Sequence, residues 1–216
     1  MRKTEVRLAT LLALAFSVAG GAYASSIDVL VGDKDGFGFS TPCSDSGMCA
    51  DLNSPPIDNR SSAEASATNG AQITDVYSAI FPGNGPNTAS TADILLPFSG
   101  TLSSATLSFA GGDIQSDVFG AFTADINGVS TPFFFADGRF VTAIHSITLT
   151  GSELAAANLA GQVDLHLDRA GSGDFVAFDW FELVGTTGVP EPSTATLFLL
   201  GGGLVALARM RRRGTR

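Results

Sequence analysis

Residues Val163-Asp164-Leu165-His166-Leu167-Asp168 alternate apolar and polar side chains with a period of two. That period lines one face of a β-strand, whereas a helix needs apolar positions every three or four residues. Ser146-Ile147-Thr148-Leu149-Thr150 repeats it. Further strands are predicted over Ile27–Val31, Ile73–Ile80, Asp93–Phe98, Leu102–Phe109, Val118–Ile126, Pro132–Phe135 and Phe175–Val184. The last of these is apolar on both faces, as a central strand packed on two sides is. Clusters of Gly, Asn, Asp, Ser and Pro separate the segments, and Asn127-Gly128 is the strongest hairpin signal. Only Ser152–Leu159 suggests a helix, one or two turns with Glu153 following a capping Ser. Pro42–Ala71, with Pro55-Pro56 and few large apolar residues, reads as a long loop. The fold class is therefore all-β: a single antiparallel domain, sandwich or barrel, flanked by apolar segments at both ends.

Charge is distributed unevenly along the 216 residues. Three of the 12 basic residues, Arg2, Lys3 and Arg7, open the chain, and five, Arg209, Arg211, Arg212, Arg213 and Arg216, close it. Residues 25–189 hold only Lys34, Arg60, Arg139 and Arg169 against 19 acids, a net charge of −15. Nucleic acid is excluded as a partner by that balance.

At the N-terminus a positive Met1–Arg7 precedes the apolar Leu8–Val18 and the small residues Ala22 and Ala24. This order predicts a helical signal peptide over 1–24, cut by signal peptidase between Ala24 and Ser25. At the C-terminus Pro190-Glu191-Pro192 precedes an apolar segment at about 194–208 and the arginine cluster 209–216. Ser193 to Ala208 is 16 residues, about 24 Å of helix against about 30 Å of hydrocarbon, a short transmembrane span held by arginines on the cytoplasmic side.

Taken together, Pro190-Glu191-Pro192, the apolar segment and the terminal arginines resemble the PEP-CTERM sorting signal of Gram-negative bacteria. The resemblance implies an exosortase as processing partner, a transient inner-membrane intermediate, and delivery to the cell surface or an exopolysaccharide or biofilm matrix. The alternative is an ordinary C-terminal membrane anchor that is never cleaved. The chain thus divides into a signal peptide (1–24), an exported domain (25–185), a spacer (186–189) and a sorting signal (190–216). Within the domain, Leu165–Gly173 and the ending Phe178-Asp179-Trp180-Phe181-Glu182-Leu183 resemble the last strands of galactose-binding-like jelly-roll domains. That resemblance implies a jelly-roll-like sandwich and raises carbohydrate binding as a function.

Cys43 and Cys49, six positions apart in an exported, turn-rich stretch, are expected to form a disulfide. Sixteen of the 19 acids in the middle are Asp, the acid of turns and of calcium loops. Gly32-Asp33-Lys34-Asp35-Gly36 begins like a calcium loop but lacks the distal Glu of an EF-hand. By analogy with jelly-roll domains in which calcium joins the first loop to the last strand, Asp33, Asp35 and Asp179 are the candidate calcium ligands. The competing reading has Asp33 and Asp35 building a turn while Asp179 accepts backbone hydrogen bonds. No cofactor is required beyond this possible calcium.

No catalytic residues are assigned. His145 and His166 lack a nucleophile in a recognisable setting, no G-x-S-x-G elbow is present, and Asp113, Asp117 and Glu153 carry no hydrolase signature. Of the amphipathic rings suited to stacking on sugars, only Tyr77 and Trp180 remain after signal-peptide removal, and Phe133-Phe134-Phe135 must either expose a ring or bury both faces. The sequence therefore favours a non-catalytic structural or adhesive matrix protein. A calcium-assisted carbohydrate-binding module is the alternative, and a polysaccharide-acting enzyme the third reading.

Overall fold

A computed structural model describes residues 24–53, 56–78 and 90–188. The signal-peptide segment with Ala22, the Pro190-Glu191-Pro192 motif and the apolar segment at 194–208 lie outside the described residues. Among the described residues no helix is long and apolar enough to cross a membrane.

Ser25–Thr187 forms one compact unit. Its five-stranded sheet has the order β1 (Ser26–Gly32), β11 (Ala177–Thr187), β6 (Leu102–Gly112), β9 (Val141–Thr148) and β2 (Gly47–Met48). The facing four-stranded sheet runs β5 (Thr91–Pro97), β10 (Gln162–Asp168), β7 (Thr123–Ile126) and β8 (Val129–Thr131). A small ladder pairs β3 (Ile57–Asp58) with β4 (Val76–Tyr77). Set aside β2, β3 and β4, and eight strands remain. The first, eighth, third and sixth form one sheet and the second, seventh, fourth and fifth the other, with every pairing antiparallel. This is the jelly-roll order of a double-sheet sandwich.

The alternating segment predicted around Leu165 is β10, whose Val163, Leu165 and Leu167 are buried while the polar residues between them are not. They meet Leu107, Phe109, Phe181 and Leu183 of the facing sheet in the main core. Asn127 and Gly128, with φ of 52° and 79°, close the β7–β8 hairpin. Strand β11 is central and packed on both faces. Phe181 and Leu183 enter the main core, while Ala177 and Trp180 join a second cluster with Phe37, Cys49, Leu52 and Tyr77 under the 33–58 segment. The segment predicted as a loop, Pro42–Ala71, is built from short elements: β2, β3, a 3-10 turn at Ala50–Asn53 and helix α1 (Ser62–Ser66), capped by Ser61 and Glu64.

Four local expectations are corrected. Val118–Ile126 is not one strand: helix α2 (Ser116–Phe119) ends at Gly120, φ 92°, before β7 begins. Pro132–Phe135 lies outside the sheet, because Pro132 has no N–H to pair and the Phe135 carbonyl is taken by the Ser116 N–H. The predicted strand from Ile73 is broken by a 3-10 turn at Ala71–Ile73 and by Asp75, φ 56°, leaving only β4. The helix is α3 (Gly151–Ala160), and its capping box joins Thr150, not Ser152, to Glu153.

Candidate metal centre

Strand β1 ends at Gly32, φ 80°, where the chain turns away from the sheet edge. A Cβ here would lie 2.5 Å from the Asp179 carbonyl oxygen and 2.7 Å from Thr74 Cγ2, so only glycine lets the loop start this close to β11. The next residues carry Asp33 and Asp35. Asp179 is reached by a different device. The register of β11 against β6 slips between Phe178 and Phe181, one extra residue forming a bulge. Phe178 and Phe181 both enter the main core in consequence, and the Asp179 side chain is re-aimed toward the loop.

Carboxylate oxygens of Asp33, Asp35, Asp75 and Asp179 all lie within 4.8 Å of one another. The structure thus brings together the three candidate ligands named from the sequence and places a fourth carboxylate, Asp75, beside them. Asp33 and Asp35 face solvent, whereas Asp75 and Asp179 are 2% and 0% exposed. The competing reading holds for individual oxygens: Asp35 Oδ1 accepts the Gly38 N–H at 2.7 Å, and Asp179 Oδ1 accepts the Phe37 N–H at 3.1 Å. Those bonds leave other oxygens over. Both Asp75 oxygens and Asp179 Oδ2 are buried with no hydrogen-bond partner, and a buried unpaired carboxylate is costly.

The electrostatics reflect that crowding. Burial, then the charges of Glu64, Asp35, Asp179 and Asp33, pushes the Asp75 carboxyl up to about 9. Burial also pushes Asp179 up to about 7, against the Phe37 N–H bond and with repulsion from Asp45. Asp33 is raised by its partial burial and by Asp35. Four carboxylates with no nitrogen or sulfur donor form an all-oxygen set that suits a hard cation such as calcium and not zinc. The signal for Asp75 in the sequence was an acid interrupting the run Ile73-Thr74-Asp75-Val76-Tyr77.

The other candidate residues are engaged elsewhere. Asp113 accepts the Tyr77 hydroxyl (2.7 Å) and the Phe140 N–H (2.8 Å) in the interior. Glu153 is taken up by the capping box and the Thr131 hydroxyl. His145 bonds Asp137 at 2.8 Å and packs on Phe135, while His166 pairs with Asp93 on the outer face of the four-stranded sheet. Tyr77 and Trp180 are buried. Phe133 is buried but Phe134 is 60% exposed, over a groove that Ser146, Thr148 and Thr150 also line. Cys43 and Cys49 form the expected disulfide.

At the other end of the unit, Ser25 and Thr187 are bonded hydroxyl to hydroxyl at 2.9 Å, with Thr187 N–H donating to the Ser25 carbonyl. The chain following Thr187 matches the model of the PEP-CTERM protein-sorting motif over residues 188–213. The chain carries a PEP-CTERM sorting signal. Such a signal marks a protein exported and sorted to the cell surface of a Gram-negative bacterium, with an exosortase as its processing partner. No curated protein sequence matches the chain. Among solved structures, a family 35 carbohydrate binding module from Clostridium thermocellum is similar at 11% identity over 60% of this chain and 88% of that one, TM-score 0.35. CBM35 from Cellvibrio japonicus Abf62 is similar at 15% identity over 74% and 94%, TM-score 0.34. Dimeric latent PorU from Porphyromonas gingivalis matches at 12% identity over 77% of this chain and 13% of that one, TM-score 0.36.

Proposed function

We propose that residues 25–187 are a non-catalytic, calcium-stabilised jelly-roll module, which the sorting signal delivers to the cell surface or extracellular matrix. There it serves a structural or adhesive role among exopolysaccharide or biofilm components. The observation that carries this reading is Asp75, whose two oxygens are buried and unpartnered and whose carboxylate lies within 4.8 Å of those of Asp33, Asp35 and Asp179. When bound, calcium supplies the positive charge that lets all four carboxylates stay ionised. The chain's own part is to hold the loop after β1, the turn before β4 and the bulge of β11 together. Signal peptidase acts between Ala24 and Ser25, and the apolar C-terminal segment is a transient membrane stage before exosortase acts near Pro190-Glu191-Pro192. Mass spectrometry of surface protein checks this route: an intact C-terminus contradicts it.

The calcium reading is tested by calorimetric titration and thermal melting of the full chain in mild detergent, with magnesium and chelator as controls. Saturable calcium binding with a raised melting temperature is expected, and a flat titration overturns it. The matrix role is tested by deleting the protein from the producing cell. Unchanged cell attachment and matrix cohesion overturn that role.

Phe134 favours a second reading, a carbohydrate-binding module. Its exposed ring beside the Ser146, Thr148 and Thr150 hydroxyls combines a flat apolar surface with the donors and acceptors that a sugar ring requires. A glycan array probed with the wild type and with Phe134→Ala separates the two, because a binder loses signal on truncation whereas a purely structural module shows none to lose.

A further inference from the structure

The loop that presents Asp33 and Asp35 leans on the disulfide. Its Gly36 carbonyl accepts the Cys43 N–H at 3.2 Å, and a Cβ at Gly36 would lie 2.7 Å from the Cys43 carbonyl oxygen. The Phe37 ring, 1% exposed, packs in the cluster that holds Cys49 and Trp180. On its far side the disulfide loop is stitched to β9: Cys49 donates to the Phe140 carbonyl at 2.8 Å, and the Thr142 hydroxyl donates to the Ser44 carbonyl at 2.6 Å. Inside the loop, Asp45 accepts the Trp180 indole N–H at 3.2 Å, one residue from Asp179. The Cys43–Cys49 link therefore stands between a rigid strand and the two segments that supply three of the four carboxylates.

We infer that the disulfide and the carboxylate cage are thermodynamically coupled, so that calcium binds the oxidised, exported protein more tightly than its reduced precursor. The inference rests on the calcium reading proposed above. On oxidation the two thiols lose two protons and two electrons by exchange with a disulfide-bearing oxidant of the exported compartment, which leaves as a dithiol. The closed loop then restricts residues 43–49 and holds the Gly36 and Phe37 contacts in place before any ion arrives. In the reduced chain the ion must itself order Asp33 and Asp35, and that ordering is subtracted from its affinity. Coupling of this kind is reciprocal, so calcium must also favour the disulfide.

Calcium affinity is measured by calorimetry on the full chain in mild detergent, oxidised, reduced with excess dithiol, and as the Cys43→Ser/Cys49→Ser variant. Reduction and the double substitution are each expected to weaken binding at least about fivefold. Calcium is expected to move the midpoint of a thiol–disulfide redox titration to more reducing buffers by about 20 mV, the same factor for a two-electron couple. Affinities equal within about twofold in all three forms overturn the coupling and leave the calcium reading intact. An oxidised protein that binds no calcium overturns both. Should the double variant lose its circular dichroism, the wild-type midpoint still decides: no shift with calcium overturns the coupling.

Discussion

Asp75 donates its backbone N–H to the Phe178 carbonyl at 2.7 Å, which fixes its carboxylate beside that of Asp179, the next residue of β11. Two interior acids from segments 104 positions apart are thereby forced into the same cage. The folded protein holds them together against charge repulsion that a bound cation would offset.

That repulsion sets a pH dependence. Burial and like charge hold Asp75 near 9 and Asp179 near 7 in the folded, calcium-free chain, whereas both return to the ordinary value of 3.8 when it unfolds. Between those limits the folded state binds more protons, so stability is fully present below about pH 4 and is lost as pH rises through about 7 and then 9. Other carboxylates that need ionisation superimpose the usual acid loss. Melting in chelator is expected to fall by at least about 5 °C from pH 5.5 to 9, and calcium is expected to remove most of the decline. A chelator curve that rises toward pH 9 contradicts the assignment.

Asp75→Asn separates the charge effect from the ion. Without calcium the variant sheds a buried, unpartnered carboxyl that folding must protonate at pH 8, and it should melt higher than the wild type there. In saturating calcium the order should reverse, with affinity reduced about tenfold or more. Paired melting curves with and without calcium read both signs. The same sign of shift in both conditions would disprove the ligand role.

Gly32→Ala probes the approach of loop to strand. The added methyl meets the Asp179 carbonyl oxygen at 2.5 Å in a left-handed backbone, so the expected loss is about 1–3 kcal/mol, with weaker calcium binding as Asp33 is displaced. Denaturant unfolding measures the first effect and calorimetry the second. A neutral variant would show that the loop yields without consequence.

Tyr77→Phe tests the second cluster independently of the metal. It strands Asp113 Oδ2 in the interior without the 2.7 Å hydroxyl bond. A loss of about 1–3 kcal/mol is expected, or roughly 3–10 °C in melting temperature, equal with and without calcium. A calcium-dependent difference would tie Tyr77 to the cage instead.

Much of the sandwich was legible because strand patterning is local. The apolar and polar residues of β10 sort themselves onto two faces by the period of the backbone, whatever the neighbours. The Asn127-Gly128 turn is equally local, since it depends on two φ values. Pro132–Phe135 and Val118–Ile126 misled because an apolar run has the same composition in a strand as in a packed irregular segment. What distinguishes them is the hydrogen bonds they accept from elsewhere, such as that from Ser116 to Phe135.

The sequence by itself determined the PEP-CTERM sorting signal and most strands of the sandwich, and it placed Asp33, Asp35 and Asp179 among the candidate ligands, because each of these is written in residues close together along the chain. Only the tertiary structure decided that Asp75 joins them and that Phe134 is exposed while Trp180 is buried. Those facts depend on a bulge in β11, on the left-handed backbone at Gly32, and on which segments the two sheets bring together across long stretches of chain. A cage made by three separated segments has no spacing of its own to read.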